Sequence, residues 1–163
     1  MRLVIIRHAI AVPQGTPGVA DDQRPLTPEG EKKFVRAARG LVRITDLPRG
    51  VLTSPLPRAR RTAEIAAAAW KGVSVTNVPA LVDGDLEALE QALVGYPDDS
   101  TLALVGHEPN VSALLAHVLG TPAEDRLAFK KGGAALVEVA GDLDQGGRLV
   151  WFLPPRILRE LGG

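Results

Sequence analysis

Short apolar runs alternate with stretches whose hydrophobic residues recur at helical spacing, and the alternation persists from Leu3 to Gly120. This pattern restricts the chain to βαβ units, and so to a mostly parallel sheet covered by helices on both faces. Leu3–Ile6 reads as a buried strand. After a stretch rich in turn residues, Thr27-Pro28-Glu29 supplies an N-cap, a proline at the first helical position and an acid in the first turn. With Phe34, Val35, Ala38, Leu41 and Val42 at helical spacing, it predicts a helix from about Pro28 to Arg43. Further strands are expected at Val51–Thr53, Ser74–Val78 and Thr101–Val105. Further helices are expected at Arg58–Trp70, Leu86–Val94 and Val111–Leu119, the last closed by Gly120. Beyond it, Ala134–Val139 and Arg148–Leu153 read as a hairpin that makes the sheet mixed. The expected fold class is α/β, a three-layer α/β/α sandwich. A chain of 163 residues corresponds to one domain over 1–163.

Composition removes several function classes. There is no cysteine, so thiolate nucleophiles, disulfide scaffolds and iron–sulfur clusters are excluded. Nineteen basic and nineteen acidic side chains cancel, which argues against a nucleic-acid partner while permitting a local cationic pocket. Arg7 and His8 interrupt the first apolar run before it reaches the length of a signal or membrane segment. A soluble cytoplasmic protein without a membrane partner is therefore expected.

In open α/β sheets, ligands bind beyond the carboxyl ends of the strands. The first strand delivers Arg7-His8 there, the second Ser54-Pro55 with Arg58 on the first turn of its helix, and the fourth Gly106-His107-Glu108. Two of the three histidines and two arginines therefore converge where a pocket belongs. Such a pocket suits a compact dianion, above all a phosphoryl group, which arginine forks bind bidentately. A histidine there can act as a covalent nucleophile whose phosphorylated form water then hydrolyses. Arginine beside each histidine would repel a divalent cation, and no acidic cluster stands at ligand spacing, so neither a metal nor another cofactor is expected.

At these residues the chain resembles a known family. Arg7-His8 after an N-terminal strand, Leu26-Thr27-x-x-Gly30 opening the first helix, Ser54-Pro55-x-x-Arg58-Ala59-x-x-Thr62-Ala63, and Gly106-His107 together resemble the histidine phosphatase superfamily, also called the phosphoglycerate-mutase-like fold. The resemblance implies that His8 is the phosphorylated nucleophile and that Arg7, His8, Arg58 and His107 bind phosphate. On that reading, neutral His8 attacks phosphorus in line while Arg7, Arg58 and a protonated His107 hold the equatorial oxygens. The short length, and the roughly thirty residues between the second helix and the fourth strand, resemble the SixA-type phosphohistidine phosphatases, which lack a lid. The implied substrate is phosphohistidine on a protein, a histidine phosphotransfer domain being one form of it. The alternatives are a small phosphorylated metabolite cleaved by a phosphomonoesterase, and a phosphate-binding module without turnover.

The family's usual glycine after the first histidine is Ala9 here, which implies a tighter pocket. The family's leaving-group acid has five candidates: Glu108, Asp21, Asp22, Asp83 and Asp85. An alkoxide leaving group needs such an acid, worth roughly 10²–10⁴ in rate, more than the imidazole of a phosphoramidate does. Ser54 either bonds within the pocket or shapes its turn. His117 reads as a partly buried bystander. Lys130-Lys131 reads as a solvated turn, with docking of an acidic protein as the other reading. Because no metal is implied, turnover should be unchanged by EDTA in a steady-state assay, and strong inhibition would contradict this.

Overall fold

A computed structural model describes residues 1–122 and 126–163. Six strands form one sheet: β1 (Arg2–Arg7), β2 (Val51–Thr53), β3 (Val75–Asn77), β4 (Thr101–Gly106), β5 (Ala134–Val139) and β6 (Gly147–Leu153). Their order is β3-β2-β4-β1-β5-β6: β1 to β4 are mutually parallel, β5 pairs antiparallel with β1, and the edge strand β6 pairs antiparallel with β5. The helices are α1 (Pro28–Ile44), α2 (Pro57–Ala69), α3 (Ala80–Asp83), α4 (Leu86–Leu93), α5 (Asn110–Val118) and α6 (Pro155–Gly162). The three-layer α/β/α sandwich expected from the sequence is the fold observed.

The alternation of side chains along each strand builds the two cores. On β1, Val4 and Ile6 face one side with Phe34 and Leu41 of α1, Ala63 of α2 and Leu158 of α6. Leu3 and Ile5 face the other, with Leu81 of α3, Leu89 of α4 and Leu115 of α5. All four β1 residues are fully buried, as central parallel strands require. Chain leaving β1 enters α1 on one face, and chain leaving neighbouring β4 enters α5 on the other. That divergence opens a crevice beyond the two strand ends.

Most expected elements are found within a residue or two. Two are additional: α3, a single turn after Pro79, and α6, which begins at Pro155 and packs on α1. Pro155 occupies the first turn of α6, where its missing N–H costs nothing. The hairpin carries an irregularity: Leu136 pairs with Trp151 and Val137 with Leu149, so Val150 is unmatched. Among the described residues, no helix is long and apolar enough to cross a membrane.

The α1–α6 contact depends on glycine. A Cβ on Gly40 would collide with the Leu158 carbonyl of α6. Gly40→Ala should push the helices apart and cost about 1–3 kcal/mol, read as a lower urea midpoint. An unchanged midpoint would show that the contact yields freely.

Candidate functional site

The parallel register places Arg7 opposite Gly106, so His8 and His107 leave adjacent strands at one level. The backbone fixes this, since His8 N–H donates to the Gly106 carbonyl at 3.0 Å and Ser54 N–H donates to that of Val105 at 3.0 Å. The two imidazole rings end 5.1 Å apart between centroids, tilted by 53°. His8, Arg58 and His107 are each less than a tenth exposed.

His8 is oriented by its own turn. Its Nδ1 lies 2.7 Å from the Ala9 carbonyl, which can only accept, so Nδ1 carries the proton and Nε2 keeps its lone pair. Ala9 N–H donates to Thr62 Oγ1 at 3.0 Å, and that hydroxyl donates to the Arg58 carbonyl at 2.7 Å. The Arg58-Ala59-x-x-Thr62 spacing thus locks the start of α2 to the His8 turn. Leu26-Thr27-x-x-Gly30 does the same for α1. Thr27 Oγ1 caps the helix by accepting from Gly30 N–H at 2.9 Å, and Thr27 N–H donates to the Ile10 carbonyl at 3.0 Å. That carbonyl lies where a Cβ on residue 30 would sit, so glycine is required there. The Ala9 methyl packs into the core beside Phe34 and α2.

The arginines are held by main-chain oxygens that leave other donors unused. Arg7 Nη1 donates to the Phe129 carbonyl at 2.6 Å, and Arg58 Nη1 donates to that of Asp21 at 2.8 Å. Arg7 Nε, Arg58 Nε and His107 Nδ1 are buried and unpartnered. Buried donors ordinarily find an acceptor, and an anion with several oxygens would supply one to each guanidinium N–H, and to His107 Nδ1 in the tautomer that carries its proton there. His107 Nε2 shares a 2.7 Å hydrogen bond with Ser54 Oγ, which also accepts from Leu56 N–H at 3.2 Å. Ser54 therefore does both things considered for it.

Burial dominates the electrostatics. It pushes the His8 imidazole down to about 3, helped by the charges of His107, Arg58 and Arg7 and opposed by the hydrogen bond to Ala9. It pushes His107 down to about 4, helped by Arg58, Arg24 and Arg7 and opposed by Asp21. His107 is thus neutral near pH 7 in the free protein; the protonated form expected from sequence belongs to the step in which it holds the phosphoryl oxygens. The main reason is burial of the ring, to which the charges of three arginines add.

Arg24 is the residue the sequence reading missed. It is buried, with Nε bonded to Asp21 Oδ1 at 2.9 Å and Nη1 to the Val12 carbonyl at 2.9 Å, and its charge reaches both His107 and Arg58. An arginine in a turn-rich loop carries no periodic signal; the acid three residues before it was the one available hint.

The candidate acids separate. Glu108 accepts from Phe129 N–H at 2.6 Å and lies 2.7 Å from Ser112 Oγ, which anchors the segment whose carbonyl holds Arg7. Asp85 caps α4 by accepting from Ala88 N–H, and Asp83 accepts from Asp85 N–H. Asp21 is half exposed, with Oδ2 3.9 Å from Arg58 Nη2; Asp22 also acts on Arg58 through its charge. His117 is remote from this chemistry and pairs with Asp144 at 2.8 Å. A separate cavity between α3, α4 and α5, of about 80 Å³ and lined by Leu81, Leu86, Leu89 and Leu114, has no titratable lining.

Known proteins resemble this chain in sequence and in fold. The model of the histidine phosphatase superfamily (branch 1) matches residues 3–94. An uncharacterized protein of Picosynechococcus sp. (strain ATCC 27264 / PCC 7002 / PR-6) is 35% identical over 136 residues, 82% of each chain. A protein histidine phosphatase SixA solved with tungstate superposes at a TM-score of 0.78 and 25% identity, over 97% of this chain and 99% of that one. Mycobacterial glucosyl-3-phosphoglycerate phosphatase has the same fold, at a TM-score of 0.71 and 17% identity, over 94% and 98%. The fold is that of the histidine phosphatases. The chain belongs to the histidine phosphatase superfamily and within it is SixA-like.

Both histidines have folded values below the ordinary 6.5, so the unfolded chain takes up protons first as pH falls. Their contribution to stability is complete above about 6.5 and is lost progressively toward about 4 for His107 and 3 for His8. The loss approaches roughly 1 kcal/mol per pH unit per histidine. Urea midpoints should therefore fall between pH 7 and 5, and less steeply in His8→Gln; an identical slope in the variant would contradict a buried neutral His8.

Proposed function

We propose that this phosphatase works through a phosphohistidine on His8 Nε2 and that its substrate is phosphohistidine on a protein. The carrying observation is the 2.7 Å contact of His8 Nδ1 with the Ala9 carbonyl, which leaves a neutral Nε2 as nucleophile in a cationic crevice. In the first step the Nε2 lone pair attacks phosphorus and the substrate's P–N bond breaks. Arg7, Arg58 and His107 donate to the equatorial oxygens. The departing imidazole takes its proton from solvent. In the second step water attacks the same phosphorus, the P–Nε2 bond breaks, and inorganic phosphate leaves with the proton shed by that water. No step calls for a metal.

Two observations support a protein-borne phosphoramidate. The segment between α2 and β4 folds into the edge strand β3 and the short helices α3 and α4, whose apolar residues pack on the sheet. Of the five acids, Glu108 and Asp85 are committed to structural hydrogen bonds, which suits a leaving group needing little protonation. The half-exposed Asp21 beside Arg58 favours the second reading, a phosphomonoesterase for small metabolites in which Asp21 protonates the leaving oxygen.

The readings separate in kinetics on a phosphohistidine protein, p-nitrophenyl phosphate and a metabolite panel. His8→Ala should lose at least about 10³-fold in kcat on every substrate while staying folded. Asp21→Asn should spare phosphohistidine turnover and lower any ester hydrolysis. Strong preference for one metabolite, or loss of phosphohistidine turnover in Asp21→Asn, would overturn the protein-substrate reading.

A further inference from the structure

The chain's zero net charge conceals a segregation. α1, α6 and the 130–131 turn together carry nine basic and three acidic side chains, a surplus of six. On the opposite layer, residues 78–100, which include α3 and α4, carry six acids and no base. The basic layer's acids are largely engaged: Glu31 by Arg61 of α2, Glu29 by Lys33, and Glu160 by Arg156. Lys130, Lys131 and Arg159 have no carboxylate at ion-pair distance among the described residues.

The surplus is joined to the crevice. Gly132 N–H donates to the carbonyls of Arg7 and His8, both at 3.1 Å, so the 130–131 turn abuts the strand that presents His8. From there a shallow groove of about 10 Å³ opens between the early turns of α1 and α6, before the helices close on each other. Ala9 and Ile10, the residues after His8, line it together with Lys33, Lys131, Pro155 and Arg159. It is apolar along its floor and cationic along its rim.

We propose that this groove docks the acidic surface of the phosphohistidine-bearing protein, an inference that rests on the substrate reading above. A protein substrate must bring its phosphorylated side chain to His8, so the surface around that side chain lies on the crevice rim. On the α1–α6 side that rim is Lys33, Lys131 and Arg159. Opposite charges on the two layers give the molecule a field that turns an acidic partner toward this side as it approaches. Lys33, Lys131 and Arg159 take no part in phosphoryl transfer, so docking and chemistry separate experimentally.

The test uses an acidic histidine phosphotransfer domain and the basic histone H4, both phosphorylated on histidine with phosphoramidate, and p-nitrophenyl phosphate as the small substrate. The wild type should prefer the acidic phosphoprotein at low salt and lose that preference as salt rises. Lys131→Glu with Arg159→Glu should lower kcat/KM on the acidic protein at least about tenfold, mainly through KM, and leave p-nitrophenyl phosphate within about twofold. Lys131→Gln with Arg159→Gln should act in the same direction with a smaller effect. Equal turnover of the two phosphoproteins, or parallel loss on p-nitrophenyl phosphate, would overturn the docking groove and leave the phosphohistidine reading standing. Turnover of p-nitrophenyl phosphate with none of either phosphoprotein would remove the substrate reading, and the groove's role with it. Variant-sensitive binding to phosphatidylserine vesicles or duplex DNA, with phosphoprotein turnover unaffected, would assign the basic face to that anion instead.

Discussion

The parallel pairing of β1 with β4 is the constraint from which the site follows. Arg7 lies opposite Gly106, and the His8 N–H to Gly106 carbonyl bond continues that register one residue past the strands. A slip of one residue would turn Leu3 and Ile5 into the wrong core and carry His8 away from His107. β2 joins the same level through Ser54, whose hydroxyl then meets the second histidine. Because α1 and α5 leave on opposite faces, the strand ends remain uncovered where these residues emerge.

Gathering Arg7, Arg24, Arg58 and two histidines in a half-dry crevice is electrostatically unfavourable, and the structure limits the cost in two ways. The arginines donate to main-chain carbonyls of Phe129, Val12 and Asp21. The histidines stay neutral because burial and the arginine charges disfavour their protonated forms. A phosphate dianion placed among them reverses these charge effects, favouring protonation of His107 and supplying acceptors for the unpartnered donors. Binding energy and the stored destabilisation are thus linked through the same groups.

The sequence was informative where chemistry and periodicity coincide. Hydrophobic alternation located every strand, and the strand-end positions of His8, Ser54 and His107 located the crevice. Arg58 opens its helix and turns to the crevice, while Arg60 and Arg61 of the same helix pair with acids on the surface. Arg24 was not legible, since its burial results from the fold of a loop with no repeating pattern. α6 was hidden because Pro154-Pro155 resembles a chain stop and its eight residues give few turns of periodicity. The protonation of His107 depends on its burial and on three arginines distant in sequence, one of them in an unpatterned loop, and periodicity reveals neither.

The acids around the crevice are tied to its cations and backbone, Asp21 to Arg24 and Arg58, and Glu108 to Phe129 N–H. Glu108 serves Phe129 and through it Arg7, so its place beside His107 in the chain is structural, supporting the arginine. Covalent transfer of the phosphoryl group to His8 is the step on which the proposed chemistry depends. Rapid mixing with ³²P-labelled substrate followed by an alkaline quench should trap label that resists alkali, is lost in acid, and maps to the peptide containing His8. Absence of such label during turnover, or label on any other residue, would contradict it.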